Sequence, residues 1–365
     1  MADIRHFHIK DELITPIAEA VIAGERLTRE QGLYLYSTPD LNALGGLARW
    51  VKEQRHGKSI SYVLNRQINP TNLCVFDCTF CDFAAKPGDE HAYEFGVDEI
   101  LSMLDSHVRE VHIVGGLHPK WPYEEYLSLV QKIHAAYPDM QIKAWTAVEV
   151  DWFAKLTKRP VRDILLELQS AGVVSLPGGG AEVFSERIRQ ALFRQKLGAD
   201  RWCEIHREAH SIGMKSNATL LYGHMETLEE RVDHLLTLRD LEDEVPGFLA
   251  FIPLSYQKGH NGVITRDVPP ADDLRTIAVS RLMLDNIPHI KAYWVMLGLS
   301  TTAMALNFGA DDLDGTIGQE RIAHAAEAES PEALERQTIQ SVIRDAGLTA
   351  RERDALHHTI ESVPA

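Results

Sequence analysis

Apolar and polar positions alternate along this chain in two patterns, which change near residue 60. Between residues 11 and 55 the apolar residues recur every three or four positions, and this spacing predicts amphipathic helices. From about residue 60, short runs rich in β-branched and aromatic residues alternate with amphipathic helical patterns. The predicted strands are "SYVLNRQIN" (61–69), "EVHIVGG" (110–116), "QIKAWTAVE" (141–149), "VVSLPGG" (173–179), "KSNATLLYG" (215–223), "FLAFIPL" (248–254) and "HIKAYWVM" (289–296).

The alternation of strands and helices predicts the fold class and the domain organisation. Sustained over most of the chain, it favours parallel strands joined by crossover helices. There are more such units than one half of a dinucleotide-binding fold contains. We therefore predict an α/β fold with a TIM-like (β/α) barrel, full or nearly full. We place an N-terminal helical extension at 1–58, the barrel at 59–310 and a C-terminal helical extension at 311–365. Active sites of such barrels form at the C-terminal ends of the strands, where this chain has glycines and polar residues.

Composition and charge narrow the class of protein. Of the 365 residues, 45% are hydrophobic, which is enough for a large core. The formal net charge is −16 and no run of Lys or Arg occurs, so we expect no nucleic-acid partner and no binding to an anionic membrane surface. The N-terminal stretch has no apolar segment after basic residues, and no apolar run is long enough to cross a bilayer. We therefore expect a soluble, cytoplasmic protein without a membrane partner.

Three of the four cysteines, Cys74, Cys78 and Cys81, lie in one short segment, "CVFDCTFC", which follows the first predicted barrel strand. Thiolates are the soft ligands of iron–sulfur clusters, and a cubane held by three of them leaves one iron open to a substrate. A structural zinc site is an alternative, but the usual fourth ligand at paired spacing is absent. Cys203 lies in a helical pattern with apolar neighbours, which is typical of a packed thiol. The spacing therefore favours an iron–sulfur site at the mouth of the barrel.

This Cys-x3-Cys-x2-Cys loop after a first barrel strand resembles the radical S-adenosylmethionine (SAM) superfamily. Three further segments resemble its SAM-binding elements: "HIVGGLHP" (112–119), "LPGGGAE" (176–182) and "TLLYGHME" (219–226). The resemblance implies that the backbone at Gly115 and Gly116 meets the amino group of the methionine moiety. Leu117 stands where the superfamily often has a glutamate, so backbone groups must serve there. The residues that the resemblance implies for the ribose and adenine are Glu182, Thr219 and Gly223.

From about residue 60 to 330 the chain is similar to one family of this superfamily, the aminofutalosine synthases of the futalosine route to menaquinone. The segments that carry this similarity include "KAWTAVEV", "SNATLLYGH" and "LNFGADDLDGTI". The resemblance implies two cofactors, a [4Fe–4S] cluster with one open iron and SAM. It implies that a 5′-deoxyadenosyl radical adds to 3-[(1-carboxyvinyl)oxy]benzoate, with rearrangement and decarboxylation to 6-amino-6-deoxyfutalosine, and that flavodoxin or ferredoxin donates the electron. A dehypoxanthine futalosine cyclase and a non-catalytic iron–sulfur protein remain alternatives.

The substrate that the resemblance implies carries two carboxylates, so the barrel mouth must provide cations or hydrogen-bond donors for them. The sequence leaves the catalytic residues undetermined, and polar residues at predicted strand ends are the candidates. Arg66, on the first barrel strand, would suit a carboxylate if it points inward, while His118, Asn217 and His224 end or follow later strands. Further polar residues near strand ends are Thr146, Glu149, Ser175, Tyr222, Asn307 and Asp314. Each is also compatible with a buried polar residue whose hydrogen bonds are satisfied.

Overall fold

The structure is a computed structural model that describes residues 7–360 and places three helices before the first strand. These helices are α1 (Ile14–Ala23), α2 (Arg29–Ser37) and α3 (Leu41–His56). Local capping fixes where two of them begin, because Thr28 and Gln31 exchange hydrogen bonds at the start of α2 and Asp40 accepts one from Ala43 N–H at 3.1 Å. The helical region that the apolar spacing predicted before residue 56 is confirmed.

Strands and helices then alternate as the sequence pattern predicts. The strands are β1 (Ser59–Val63), β2 (Asn65–Ile68), β3 (Glu110–Ile113), β4 (Gln141–Ala144), β5 (Val173–Leu176), β6 (Lys215–Tyr222), β7 (Phe248–Ser255), β8 (His289–Ile290), β9 (Asp312–Gly315) and β10 (Thr349–Glu352). The later helices are α4 (Val97–Ser102), α5 (Tyr123–Ala136), α6 (Ala147–Thr157), α7 (Val161–Ser170), α8 (Glu186–Leu192), α9 (Ala199–Ser211), α10 (Leu228–Glu244), α11 (Pro270–Met283), α12 (Trp294–Ala305), α13 (Ile322–Ala325) and α14 (Arg336–Asp345). In the range 7–360, no helix combines the length and apolar character needed to cross a membrane.

A parallel sheet of seven strands forms the centre of the fold. Strands β2 to β8 pair in chain order, each parallel to the next. Residues such as Val111 and Ile142 are in register, fully buried, and face the helix layer. The next residues along these two strands, His112 and Lys143, are also in register and face the opposite side, which is the lumen of the curled sheet. The predicted barrel-type α/β fold is confirmed.

A second parallel sheet, in the order β10-β1-β9, spans the gap between the two edges of the curled sheet. On one side β9 reaches β8 through a parallel bridge between Asp312 and Lys291. On the other side the segment after β9 runs along β2, where Gln67 N–H donates to the Ile317 carbonyl at 2.8 Å. The barrel is therefore nearly full, and the residues that follow Ile317 lie at its mouth, the C-terminal end of the strands.

Buried ion pairs occupy the lumen toward the N-terminal ends of the strands. These lumen ion pairs are Lys143–Glu110 with Nζ and Oε1 2.6 Å apart, Lys291–Asp314 with Nζ and Oδ1 2.8 Å apart, and Arg353–Asp312 with Nη2 and Oδ1 3.1 Å apart. Each cation has a carboxylate partner, as buried charges require. The lower lumen is therefore filled with matched charges, and its open part lies toward the mouth.

The observed limits of the strands differ from the predicted ones, and three of the predicted strands change most. The stretch 61–69 is divided at Leu64 into the end of β1 and all of β2, which belong to different sheets. The stretch 289–296 is a strand only over its first two residues, and α12 begins at Trp294. The stretch 141–149 leaves the strand after Ala144 and turns into α6.

The C-terminal region contains strands as well as helices. Strands β9 and β10 lie within 311–365, where helices alone were expected. Apolar alternation is weak in both strands, since β9 reads "DLDG" and β10 reads "TARE". The domain boundaries 1–58, 59–310 and 311–365 stay a prediction, and the two chain ends that they include lie outside the described residues.

Candidate active site

Residues 74–81, which we call the cysteine loop, leave the C-terminal end of β2 and lie at the mouth of the barrel. Backbone hydrogen bonds fix the loop from two sides, with Cys74 N–H donating to the Ala85 carbonyl at 3.1 Å and Thr79 N–H to the Leu192 carbonyl at 2.8 Å. The Lys86 ammonium donates to the Cys74 carbonyl at 2.8 Å. The loop is therefore held by its own C-terminal continuation and by the end of α8.

The donor set of the cysteine loop fits an iron–sulfur cluster. Its three cysteines are free and partly buried, and thiolates are the ligands that such clusters use. Over residues 7–360, the three sulfurs do not form a group whose ligand atoms all lie within 4.8 Å of one another. Three thiolates on a single zinc ion would lie about 3.8 Å apart at ordinary bond lengths. The wider spacing leaves room for a polynuclear cluster.

Burial governs the electrostatics of the cysteine loop. It raises the pKa of the Cys78 thiol to about 11 and also raises that of Cys81, while the Lys196 ammonium opposes both shifts. Lys196 Nζ lies 2.6 Å from Glu182 Oε1 and 5.0 Å from the centre of the Phe80 ring. Three thiolates in this setting need a strongly positive partner, and a bound metal core provides one.

Gly115 and Gly116 bring the end of β3 against the backbone that enters the cysteine loop. A Cβ added to Gly116 would lie 2.3 Å from the carbonyl oxygen of Leu73, and one on Gly115 would lie 2.9 Å from that of Thr71. No other residue fits at Gly116 without moving the loop. The structure thus brings the predicted SAM-binding glycines and the cysteine loop together.

The carboxylate of Glu149 lies beside these glycines. Its Oε1 accepts from Gly115 N–H at 3.0 Å and its Oε2 accepts from Thr146 N–H at 2.6 Å, so it starts α6 rather than ending a strand. Burial raises the pKa of Glu149 to about 7 in spite of these hydrogen bonds. An acidic group is therefore present near the glycines, although Leu117 leaves the motif itself without one.

The ends of β5 and β6 are tied together at the mouth. Thr219 Oγ1 donates to the Gly178 carbonyl at 2.8 Å, and a Cβ on Gly178 would lie 2.7 Å from the backbone of β6. Glu182 follows with a left-handed φ of 47°, and its carbonyl accepts from Leu221 N–H at 2.8 Å. This path turns the Glu182 side chain toward Lys196 and the cysteine loop; the roles of Glu182 and Thr219 in binding SAM stay a prediction.

Gly223 and His224 form the turn that follows β6. Gly223 has a φ of 91°, and its N–H and that of His224 donate to the Glu226 carboxylate at 2.6 Å and 2.9 Å. His224 Nε2 donates to the Leu221 carbonyl at 3.0 Å, and its Nδ1 accepts from Met225 N–H at 2.7 Å. Because both ring nitrogens are engaged, His224 holds the turn and has no nitrogen left for a substrate.

Arg66 does not point into the barrel. It is in register with Val111, which is fully buried on the helix side of the sheet, and its guanidinium lies 3.7 Å from Asp105 in the connection before β3. The neighbouring Gln67 takes the lumen side instead. Arg66 therefore lacks the inward orientation under which it would suit a substrate carboxylate.

Three other candidates have partners that explain them. His118 Nδ1 accepts two backbone N–H groups, the shorter at 3.0 Å, while its Nε2 lies 2.8 Å from Glu94 Oε2. Tyr222 donates to Asp273 at 2.6 Å on the helix side of β6. Asn307 donates to a backbone carbonyl at 3.2 Å near the end of α14. Each of these side chains therefore has a partner within residues 7–360.

A row of polar side chains crosses the lumen wall. Gln67, His112, Lys143 and Ser175 are in register on β2 to β5. His112 Nε2 and Ser175 Oγ are buried and find no hydrogen-bond partner within the described chain. Burial lowers the pKa of His112 to about 3, so the ring is neutral. Asn217, on the same face of β6, adds an amide. The unpaired His112 Nε2 and Ser175 Oγ give this wall two polar atoms that a small molecule could bind.

Lys196 was not among the candidates that the sequence indicated, and Glu149 was among them but was expected near the end of a strand; each had a local signal. Lys196 stands beside apolar residues in "FRQKL", which is the pattern of a half-buried cation. Thr146 and Glu149 have the spacing of a capping box, which places Glu149 at a helix start. Neither signal indicates which other part of the chain the charged group meets.

The fold and the cysteine loop are those of a radical SAM protein. The family model described as the radical SAM superfamily matches residues 68–238, and that of the CofH/MqnC C-terminal region matches residues 245–364. Among solved structures, methylornithine synthase superposes with a TM-score of 0.72, covering 91% of this chain and 96% of that one. Their identity of 19% shows the shared fold alone.

Two curated relatives are similar over nearly the whole chain. The aminodeoxyfutalosine synthase of Thermus thermophilus is 43% identical, covering 96% of this chain and 97% of its own. That of Streptomyces coelicolor is 40% identical, covering 94% and 93%. The chain belongs to the radical SAM superfamily, and within it to the family that contains these aminodeoxyfutalosine synthases. The expected cofactors, a [4Fe–4S] cluster and SAM, are those of the superfamily.

Proposed function

We propose that this protein is an aminodeoxyfutalosine synthase of menaquinone biosynthesis. In the proposed reaction SAM is cleaved reductively and its 5′-deoxyadenosyl group joins 3-[(1-carboxyvinyl)oxy]benzoate, with rearrangement and decarboxylation to 6-amino-6-deoxyfutalosine. The observation that carries the proposal is the similarity to two aminodeoxyfutalosine synthases over the full barrel and the C-terminal region. The cysteine loop at the barrel mouth supports the same chemistry.

Cys74, Cys78 and Cys81 would hold the [4Fe–4S] cluster, which leaves one iron open for SAM. The cluster supplies the electron that breaks the sulfonium bond to C5′. Phe80 packs against Phe193 with ring centres 5.9 Å apart and limits the access of water to the loop.

The chain segments around the loop would hold SAM. The backbone at Gly115 and Gly116 would meet the methionine end, and the nearby Glu149 carboxylate would complement its positive amino group. Lys196 would keep the Glu182 side chain in place beside the loop. The residues that would support the ribose and adenine are Glu182, Thr219 and Gly223.

The upper lumen would hold the substrate beneath SAM. A radical intermediate must be kept from water and stray hydrogen donors, and a nearly full barrel provides such a chamber. Ile252 and Leu254 lie on the lumen face of β7 and offer apolar contact for an aromatic ring. The unpaired atoms of Ser175 and His112, together with the Asn217 amide on the same face, would offer hydrogen bonds that position the substrate.

An anaerobic turnover experiment tests the proposal. The protein is reconstituted with iron and sulfide and incubated with SAM, dithionite and 3-[(1-carboxyvinyl)oxy]benzoate, and the products are identified by mass spectrometry. We expect a decarboxylated adenosyl adduct with the mass of 6-amino-6-deoxyfutalosine. Free 5′-deoxyadenosine without adduct would instead favour a cyclase-type hydrogen abstraction, and an unchanged cluster spectrum on adding SAM would favour a non-catalytic protein.

Two cysteine variants provide the matched control. Cys78→Ala removes a thiol of the cysteine loop, so we expect both iron content and activity to be lost. Cys203→Ala removes the buried thiol of α9, and iron content and activity should persist. An active Cys78→Ala protein with full iron content would remove Cys78 from the ligand set.

We also propose a flavodoxin or ferredoxin as the electron donor and the cytoplasm as the location. Low-potential carriers of this kind are the usual donors of the superfamily that the sequence resembles. The net charge of −16 disfavours adsorption to anionic membranes. Replacing dithionite with a reduced flavodoxin system in the same turnover experiment tests the donor.

A further inference from the structure

The charge balance of the lumen restricts where a substrate carboxylate can bind. All six side chains of the lumen ion pairs are buried, and each cation is already matched by one carboxylate. His112 is neutral because burial lowers its pKa to about 3. An additional carboxylate among these groups would therefore be buried without a positive partner, which is costly. The substrate anion must find its cation closer to the mouth.

Arg321 is a cation at the mouth, and no carboxylate of the described residues pairs with it. In residues 7–360 it forms no ion pair, and its polar contact is with Gln319 Oε1 at 3.5 Å. Its guanidinium carbon lies 5.3 Å from the centre of the Tyr93 ring and 5.0 Å from that of Phe95. The contacts with two aromatic rings hold the guanidinium in place, and within residues 7–360 no carboxylate occupies its N–H groups.

The surroundings of Arg321 place it between the barrel and the cysteine loop. The preceding residue, Glu320, accepts a hydrogen bond at 3.2 Å from Gln67, which lies on the lumen side of β2. On the other side, the Tyr93 carbonyl accepts from Thr71 Oγ1 at 2.7 Å, in the segment that leads into the cysteine loop. Arg321 is therefore next to both the lumen wall and the root of the loop.

Tyr93 adds a second unsatisfied group at the same place. Its hydroxyl is buried and has no hydrogen-bond partner among the residues that the structure describes. Arg321 and Glu320 are the charged groups that act on it, and burial raises the pKa of Tyr93 well above its ordinary value, which keeps the hydroxyl protonated as a donor. An acceptor that reached both Arg321 and Tyr93 would satisfy a buried donor that otherwise costs stability.

We propose that Arg321 is a substrate-binding residue whose guanidinium pairs with a carboxylate of the substrate, with the Tyr93 hydroxyl as a second donor. This inference rests on the proposed function, which supplies an aromatic substrate with two carboxylates. A guanidinium binds a carboxylate through two parallel hydrogen bonds, and Tyr93 and Phe95 hold the guanidinium in place for this contact. Arg321 thus selects and orients the substrate and takes no part in cleaving SAM.

The experiment compares the wild type with Arg321→Met and Arg321→Lys, using Arg344→Met as the control because Arg344 is exposed on α14 and contacts only Ser341 there. We expect Arg321→Met to raise KM for 3-[(1-carboxyvinyl)oxy]benzoate roughly 10- to 100-fold, the loss typical of a charged hydrogen bond. Iron content and the spectral change on adding SAM should equal those of the wild type. The KM of Arg321→Lys should lie between those of the wild type and Arg321→Met. The KM of Arg344→Met should equal that of the wild type.

Truncated ligands separate recognition from a structural role. The probes are 2-phenoxyacrylate, which lacks the ring carboxylate, and 3-(vinyloxy)benzoate, which lacks the enolpyruvyl carboxylate, with binding measured by calorimetry on the reconstituted protein. One of the two probes lacks the carboxylate that Arg321 binds. Compared with the full substrate, that probe should bind the wild type much more weakly but should bind Arg321→Met only slightly more weakly. That probe identifies which carboxylate Arg321 meets.

Each result decides the matter. If the wild type forms the adduct but Arg321→Met has an unchanged KM, or binds both probes with the same pattern as the wild type, the inference is overturned and the proposed function stands. If Arg321→Met and Arg321→Lys both fail to fold, Arg321 is structural and the inference is also overturned. If the wild type itself forms no adduct, the proposed function fails and the inference falls with it.

Discussion

Lys196 acts on two neighbours at once, because its ammonium faces both the Glu182 carboxylate and the cysteine loop. Its side chain is 17% exposed and that of Glu182 is 10% exposed, so the ion pair is largely buried. Replacing Lys196 with Met leaves the carboxylate without a counter-ion, and breaking a buried pair in this way costs about 3–5 kcal/mol. We expect Lys196→Met to lower the free energy of unfolding on that scale, measured by urea unfolding of the reconstituted protein under argon.

The double variant Lys196→Met/Glu182→Gln separates this ion pair from the effect of Lys196 on the cluster. It leaves no unpaired carboxylate, so most of the lost stability should return. The positive charge near Cys78 and Cys81 remains absent, so the reduction potential of the cluster, measured by an EPR-monitored titration, should stay below that of the wild type. Equal potentials in all three proteins would show that Lys196 serves the fold alone.

At the scale of residues, what the sequence reveals depends on distance along the chain. The three cysteines are close together in the sequence, so their spacing alone predicted the cluster site. Arg321 and Tyr93, by contrast, meet only because the segment after β9 closes the barrel. No local pattern marks such a pairing. Arg66 and Gln67 show the opposite limit. They are neighbours on β2, so their side chains point to opposite sides of the sheet, and the sequence alone does not say which of them faces the lumen.

Glu149, at the start of α6, makes the free energy of unfolding depend on pH. Burial gives the Glu149 carboxyl a pKa of about 7 in the folded protein, against an ordinary value of 4.5. Below pH 4.5 the group is protonated whether the chain is folded or unfolded; between 4.5 and 7 only the unfolded chain ionises. A raised pKa therefore favours the folded state at low pH, and this contribution is lost as pH rises to about 7.

We expect Glu149→Gln to remove this component of the pH dependence. Across the titration window the wild type should lose on the order of 3 kcal/mol relative to Glu149→Gln, following 1.36 kcal/mol per unit of pKa shift. The measurement is urea unfolding of both proteins from pH 4 to pH 8. Buried histidines affect both proteins alike, so the difference between them isolates Glu149. A difference that stays constant across this range would contradict the assignment.

The predicted and observed elements differ where tertiary contacts override local pattern. The alternation of "SYVLNRQIN" indicates one strand, but β1 and β2 separate at Leu64 because each pairs with a different sheet. β9 reads "DLDG", a sequence typical of a turn. It is a strand because Asp312 accepts from Ser61 Oγ at 2.7 Å and from Arg353, so buried side-chain bonds replace apolar burial. Such partners become visible only in the folded chain.

Strands from the N-terminal and C-terminal parts of the chain together close the barrel. β1, from the N-terminal part of the chain, pairs on one side with β10 and on the other with β9, and β9 then spans the gap between β8 and β2. Arg353 follows β10 directly, and its backbone N–H donates to the Tyr62 carbonyl of β1 at 2.9 Å. The same residue neutralises Asp312 inside the barrel. The C-terminal region is therefore part of the wall that encloses the substrate chamber.

Arg353→Met tests this dependence. Arg353 and Asp312 are both fully buried, and removal of the guanidinium leaves Asp312 without its main counter-ion, at a cost of about 3–5 kcal/mol. We expect a lower urea midpoint than in Arg351→Met, whose guanidinium bonds Thr359 at the surface. Because β9 carries the segment that lies along β2, amide hydrogen exchange over residues 316–321 should also become faster than in the control. A lower midpoint with unchanged exchange there would mean that the ion pair stabilises the fold without holding the barrel closed.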